Sequence, residues 1–118
     1  MTQQRSVFGT PVPELPVVDV PRAQQYYRDV LGFEVGWLYP GNEIGAVSRD
    51  SVTIFFRKRQ VPFEAAIHWI YAADIEASYR ELTELGADII DPLGEKPWGL
   101  LQFTVRDLDG NLFHFHHG

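Results

Sequence analysis

The chain has no cysteine. That excludes disulfides, thiolate metal ligands and a cysteine nucleophile together. It also has no apolar run near the ~20 residues that a bilayer-spanning helix requires. Its first ten residues, MTQQRSVFGT, lack the charged-then-apolar layout of an export signal, so a cytoplasmic location is expected. Positive charge is scarce. Ten Lys and Arg stand against sixteen Asp and Glu, a formal net charge of −6. That balance argues against a nucleic-acid partner, which requires a basic field, and no membrane partner is implied. It is compatible with a cationic ligand, although acidic solubility alone explains many such charges. No serine sits in a nucleophile-elbow motif, and no spacing singles out a catalytic carboxylate pair.

Apolar residues make up 45% of the 118 positions, enough for one folded domain spanning 1–118 with a core of its own. The clearest stretch is Gly94 to His117. Leu101, Phe103 and Val105 alternate with Gln102 and Thr104. After the turn Arg106-Asp107-Leu108-Asp109-Gly110-Asn111, Leu112, His114 and His116 alternate with Phe113, Phe115 and His117. Period-two alternation on both sides of a glycine-containing turn predicts a β-hairpin with one greasy face and one mixed face.

From the N-terminus, residues 1–10 read as a loose arm. Val12 to Val18 reads as a strand, interrupted by Pro11, Pro13 and Pro16, that pairs on one side only. Asp19 caps a helix with Pro21 in its first turn. Val20, Ala23, Tyr27, Val30 and Leu31 share its apolar face, and Gly32 ends it. Strands follow at Phe33–Tyr39, Ile44–Ser48 and Ser51–Phe56. Arg57-Lys58-Arg59 reads as part of a solvated linker. Ala65–Ala73 is a strand. Asp74 caps a second helix carrying Ile75, Tyr79, Leu82 and Leu85, and Gly86 ends it. Ala87–Ile90 is a short strand, and Asp91–Trp98 reads as a loop before the final hairpin.

The order is strand, helix, three strands, given twice. The halves, about 11–57 and 65–117, also match in letters. Asp19 pairs with Asp74, Leu31-Gly32 with Leu85-Gly86, and Val47-Ser48-Arg49-Asp50 with Thr104-Val105-Arg106-Asp107, at spacings of roughly 54 to 57. The expected fold is α+β. Two βαβββ units form curved mixed sheets, each covered by a helix on one face and concave on the other. A concave sheet face can hold a ligand.

The paired βαβββ pattern, DVPRAQQYYRDVLGF at 19–33 and VRDLDGNLFHF at 105–115, resembles the vicinal oxygen chelate superfamily. That group contains glyoxalase I, fosfomycin resistance proteins, extradiol dioxygenases and bleomycin resistance proteins. The motifs Val12-Pro13-Glu14-Leu15, Arg49-Asp50-Ser51-Val52-Thr53, Gly94-Glu95-Lys96-Pro97-Trp98-Gly99 and Asn111-Leu112-Phe113-His114-Phe115 are most similar to the bleomycin resistance branch. The metal enzymes of the superfamily place a His seven residues before each helix-opening Asp. Those positions here are Val12 and Ile67, and the last ligand position holds His114. Aliphatic side chains offer no lone pair, so the resemblance implies neither a metal nor another cofactor. His68 lies one residue out of register and would point to the other face.

The same parity aims Ile67, Trp69 and Tyr71 into the concavity, with Thr53, Phe55 and Arg57 from the third strand and Gln102 and His114 from the last hairpin. Trp37 and Trp98 stand at its edges. Aromatic stripes are often simply core, but three tryptophans on one face suit a stacking pocket for a flat, cationic molecule. The resemblance implies a homodimer that exchanges its N-terminal strand through a proline hinge and holds drug in grooves at the interface. Trp98 falls on the tryptophan that stacks on the drug, and Trp37 on an aromatic groove position. Ile44 replaces a further aromatic, and Arg57 a small polar residue. An arginine facing a cationic ligand needs a carboxylate beside it.

The expected site is therefore Trp37, Ile44, Phe55, Arg57, Trp69, Tyr71, Trp98, Gln102 and His114, serving sequestration of a bleomycin-type antibiotic without catalysis. Three alternatives stay open. One is a metal-dependent lyase, isomerase or thiol transferase of the same superfamily. Another is a binding protein for some other aromatic metabolite. The third is a metal-free enzyme using a cavity His or Glu.

Overall fold

The computed structural model describes residues 4–118; the first three residues of the expected arm lie outside the described residues. Its elements are β1 (Glu14–Val17), α1 (Val20–Leu31), β2 (Glu34–Leu38), β3 (Ile44–Arg49), β4 (Val52–Lys58), β5 (Ile67–Tyr71), α2 (Ile75–Glu84), β6 (Asp88–Glu95), β7 (Leu101–Arg106) and β8 (Leu112–His117). They form two four-stranded sheets, ordered β1-β4-β3-β2 and β5-β8-β7-β6. In each, the strand before the helix is an edge strand and pairs parallel; the other pairings are antiparallel. The fold is thus two βαβββ units, as the repeat predicts.

The helices begin and end for identifiable reasons. Asp19 accepts a hydrogen bond from the Arg22 amide and Asp74 from the Ala77 amide, each satisfying one orphan N–H of a first turn. Gly32 takes φ 72°, a left-handed cap that costs a side-chain-bearing residue more. Val20, Ala23, Tyr27 and Leu31 bury one stripe of α1; Ile75 and Leu82 do so for α2. They meet Leu15, Val17, Val47, Ile54 and Phe56 from the first sheet and Phe103, Val105, Phe113 and Phe115 from the second. Tyr27 stands between the halves, with ring centroids 4.8 Å from Phe56 and 6.1 Å from Phe113.

Several sequence expectations need correcting. The stretch 91–98 is not all loop, since β6 runs to Glu95. It is an edge strand with register shifts between Ile89 and Asp91 and between Asp91 and Gly94, which is how it accommodates Pro92. Arg57 and Lys58 belong to β4 rather than to a linker, and β5 is shorter than Ala65–Ala73. The letter match between the halves slips by one residue. Val47 and Val105 are both fully buried, so Arg49 corresponds to Asp107, not to Arg106.

That correspondence exposes two equivalent ties across the halves. The Tyr27 hydroxyl on α1 donates to Asp107 Oδ2 at 2.6 Å. On the other side, Arg49 donates from both terminal nitrogens to Glu81 on α2, at 2.8 and 2.7 Å. Each joins a helix of one half to the β-hairpin of the other, at or beside its turn.

Candidate functional site

With one face of each sheet under a helix, the opposite faces are open, and strand parity decides what they carry. On the first sheet, Ile44 pairs with Arg57 and Ala46 with Phe55, so these side chains share the open face. Trp37 joins them from β2, its ring 5.0 Å from that of Phe55. Arg57 is not a bare charge there. Its Nε lies 2.8 Å from Glu14 Oε1 on the neighbouring parallel strand, and Arg59 reaches the same carboxylate at 3.7 Å.

On the second sheet, Trp69 pairs with His114 and Tyr71 with His116. The Trp69 ring is 4.6 Å from the His114 ring, and His116 sits 5.7 Å from both Trp69 and Tyr71. The Thr104 hydroxyl is 2.7 Å from His114 Nδ1 and fixes that imidazole from the next strand. Gln102 is buried on this sheet and accepts a hydrogen bond from Trp98 Nε1 at 3.0 Å. The Trp98 loop closes as a tight turn, with the Gly99 amide donating to the Lys96 carbonyl. Gly99 has φ 89°, which a side chain would strain. So the indole is held at its nitrogen while its faces stay open.

The nine expected residues thus form two groups, one per sheet: Trp37, Ile44, Phe55 and Arg57, and Trp69, Tyr71, Trp98, Gln102 and His114. No ring contact or hydrogen bond joins the two groups among the described residues. Exposure is high for surface rings: 48% for Trp37, 51% for Trp69, 59% for Tyr71 and 61% for Trp98. Ile67 also lies exposed at the head of this stripe.

Three contributors were missed in the sequence. Glu14, Thr104 and His116 all follow from the same parity, Glu14 alternating with buried Leu15 and Val17 and Thr104 with buried Phe103 and Val105. His116 and His117 are held in the sheet. Both lie in β8, and His117 Nδ1 is 2.9 Å from the Ala72 carbonyl oxygen.

A resident metal does not fit these residues. Ile67 has no donor atom, Val12 lies outside any strand, and His114 Nδ1 is already engaged by Thr104. No group of three or more His, Asp or Glu side chains converges among the described residues. His68 turns inward, with its ring 6.3 Å from Phe113. Basic side chains of the open faces are matched by carboxylates: Arg57 by Glu14 and Arg106 by Asp88. Among the described residues, no helix is long and apolar enough to cross a membrane.

Residues 11–115 match the family model described as Glyoxalase/Bleomycin resistance protein/Dioxygenase superfamily. Solved structures of this shape include a bleomycin-binding protein from bleomycin-producing Streptomyces verticillus, complexed with copper(II)-bleomycin. It is 28% identical with a TM-score of 0.81, and the match covers 97% of this chain and 99% of that one. TioX from Micromonospora sp. ML1 is also 28% identical, with a TM-score of 0.73 and coverage of 92% and 98%. A bleomycin resistance determinant encoded on the transposon Tn5 shares the fold at 17% identity, with a TM-score of 0.82 and coverage of 94% and 98%. No curated protein matches the chain.

Proposed function

Because the chain belongs to the glyoxalase/bleomycin resistance protein/dioxygenase superfamily, holds aliphatic Val12 and Ile67 where the metal enzymes carry histidine ligands, and exposes indoles on its open faces, we propose that it sequesters a flat, cationic small molecule of the bleomycin type. The molecule is held between two copies of the chain and released unchanged. Resistance follows from lowering the free concentration of the drug, and no bond of the ligand is made or broken.

The observation that carries this reading is the exposed set Trp37, Trp69, Tyr71 and Trp98. A lone chain gains nothing by leaving four large rings half in water, at roughly 25 cal/mol for each Å² of apolar surface that could be buried. Flat heterocycles stack on such rings, and cations are attracted to indole faces. Glu14 supports the cationic part by offsetting Arg57 and Arg59. A second copy is supported by shape. The radius of gyration is 16.0 Å, against about 13–14 Å for a compact domain of this length. The arm from residue 4 to 13 has no regular structure, and Val7 and Phe8 on it are almost fully exposed, as an exchanged segment would be before it meets its partner. Of the two 28% identical structures, the bleomycin-binding protein was solved with copper(II)-bleomycin, a ligand of the proposed class.

Titration with bleomycin, read by tryptophan fluorescence, tests the proposal, with sedimentation reporting the oligomeric state of the same sample. Saturable quenching with one drug site per chain is expected. A flat titration at micromolar drug, or stoichiometric divalent metal in protein purified without chelator, would sink it.

A further inference from the structure

The two halves are not equally closed where each hairpin turn meets the other half. In the second half the turn is locked. Asp109 Oδ1 accepts from the Val18 amide at 2.9 Å, and Asn111 Nδ2 donates to the Pro16 carbonyl at 3.0 Å. The corresponding turn of the first half is Asp50-Ser51-Val52, which faces Tyr71 to Asp74. It is shorter. Arg49 pairs directly with Val52 around two residues, whereas Asp107 and Asn111 close around three. Val52 takes the place of Asn111 and carries no donor. No hydrogen bond between residues 50–52 and 71–74 replaces the lock among the described residues.

The space left over is a cavity of about 520 Å³, within the range of small-ligand sites. Its walls are apolar: Leu31, Phe33, Ile70, Leu82 and Phe115. Its mouth is acidic. Asp50 stands there with 89% of its side chain exposed, and Asp74 lies on the same lining. Past Arg49 the opening continues into a polar hollow bordered by Glu34 and Glu81. The nearest cation, Arg49, is engaged mainly by the Glu81 carboxylate and the Leu31 carbonyl; its Nε also lies 3.8 Å from Asp50 Oδ2, a loose contact that leaves most of the Asp50 carboxylate in water. The N-terminus of α2 does not offer itself to an anion, because the Asp74 carboxylate already accepts its Ala77 amide.

We propose that this cavity is a second binding site, separate from the aromatic faces, for a small amphiphilic amine. The hydrocarbon part lies among Leu31, Ile70, Leu82 and Phe115, and the ammonium lies at the mouth against Asp50. An anion of the same size meets carboxylates at that mouth and is refused. A neutral analogue keeps the apolar contact and loses the charge pairing.

The test is an NMR titration of the intact protein with hexylamine, hexanol and hexanoate, following the methyl groups of Val52, Ile70 and Leu82 and the indole N–H signals. Saturable methyl shifts with hexylamine are expected, with the Trp69 and Trp98 indoles unmoved. Hexanol should bind about threefold to tenfold more weakly, and hexanoate not at all. Ala77→Leu fills the cavity from a half-buried helix position and should abolish the shifts; Ser78→Phe serves the same purpose if the first variant folds poorly. Asp50→Asn should weaken hexylamine toward the hexanol value. Equal response to hexanoate, shifts that persist in the filled variants, or shifts centred on the indoles would each overturn the proposal.

Discussion

Glu14 and Arg57 are 43 residues apart in sequence, yet the parallel pairing of β1 with β4 sets the Glu14 carboxylate 2.8 Å from Arg57 Nε on the open face of the first sheet. Both groups are more than a third exposed, so the pair contributes little to stability. Its effect is on the field that a ligand meets. Glu14→Gln leaves Arg57 and Arg59 unopposed and should weaken bleomycin binding by about threefold to tenfold, roughly 0.7–1.4 kcal/mol, with Tm nearly unchanged. Arg57→Ser should move affinity the other way. Fluorescence titration at low and high salt checks this, because the difference must shrink as salt screens it. Unchanged affinity in both variants would show that the ligand is not cationic at this position.

The Trp98 indole is fixed at its nitrogen by Gln102 and exposed on its faces, which is the arrangement a stacking platform requires. Trp98→Ala should cost about 2 kcal/mol of drug binding, roughly thirtyfold in Kd, as expected of a central aromatic anchor. Gln102→Leu removes the tether but keeps the ring and should cost less than Trp98→Ala. Calorimetry of the two variants gives the comparison. If the glutamine variant is the more damaging, the indole is not the platform.

Much of this fold could be read from local chemistry. Asp19, Asp74 and Gly32 marked helix ends because caps are local, and the final hairpin showed its buried Phe103, Val105, Phe113 and Phe115 by alternation alone. Non-local register was harder. Glu14 could not be joined to Arg57 without the pairing of β1 with β4, which no short-range signal specifies. The slip between Arg49 and Arg106 arose because matching letters do not fix which face a residue takes, and one residue reverses it. Pro92 and Gly94 read as loop residues, yet an edge strand with bulges accepts both. Parity sorted Phe55, Arg57, Trp69, Tyr71, Gln102 and His114 onto open faces, while Trp37, Ile44 and Trp98 came from the resemblance; neither could reveal that the nine fall into two groups on separate sheets.

Asn111 is fully buried in the last turn and has three side-chain hydrogen bonds: from the Ala66 amide at 2.8 Å, to the Pro16 carbonyl at 3.0 Å and to Asp107 Oδ2 at 3.1 Å. Asn111→Ala leaves the half-buried Pro16 carbonyl and Ala66 amide, and the buried Asp107 carboxylate, without those partners. The expected loss is about 2–4 kcal/mol in urea denaturation, since each unsatisfied buried group costs roughly 1–3 kcal/mol. Val52→Ala, at the matching position of the other half, breaks no hydrogen bond and should cost less. A loss below about 1 kcal/mol for Asn111→Ala would mean that the turn is not a lock.

Tyr27 and Asp107 supply a pH signature of the contact between the halves. Burial first, then the adjacent Asp107 carboxylate, pushes the Tyr27 hydroxyl well above its ordinary value of 10.0. The folded state therefore keeps this proton at pH values where the unfolded chain releases it. Stability from this group is fully present below about pH 10 and is lost as pH rises beyond that. Tyr27→Phe removes the 2.6 Å bond to Asp107 and should cost about 1–2 kcal/mol at neutral pH. It also removes the ionisable group, so the gap between wild type and variant should narrow between pH 10 and 11. The other tyrosines titrate in both proteins and cancel in the difference. Urea midpoints measured from pH 7 to pH 11 give the answer. A gap that stays constant through pH 11 would mean that Tyr27 ionises no later in the folded protein than in the unfolded one.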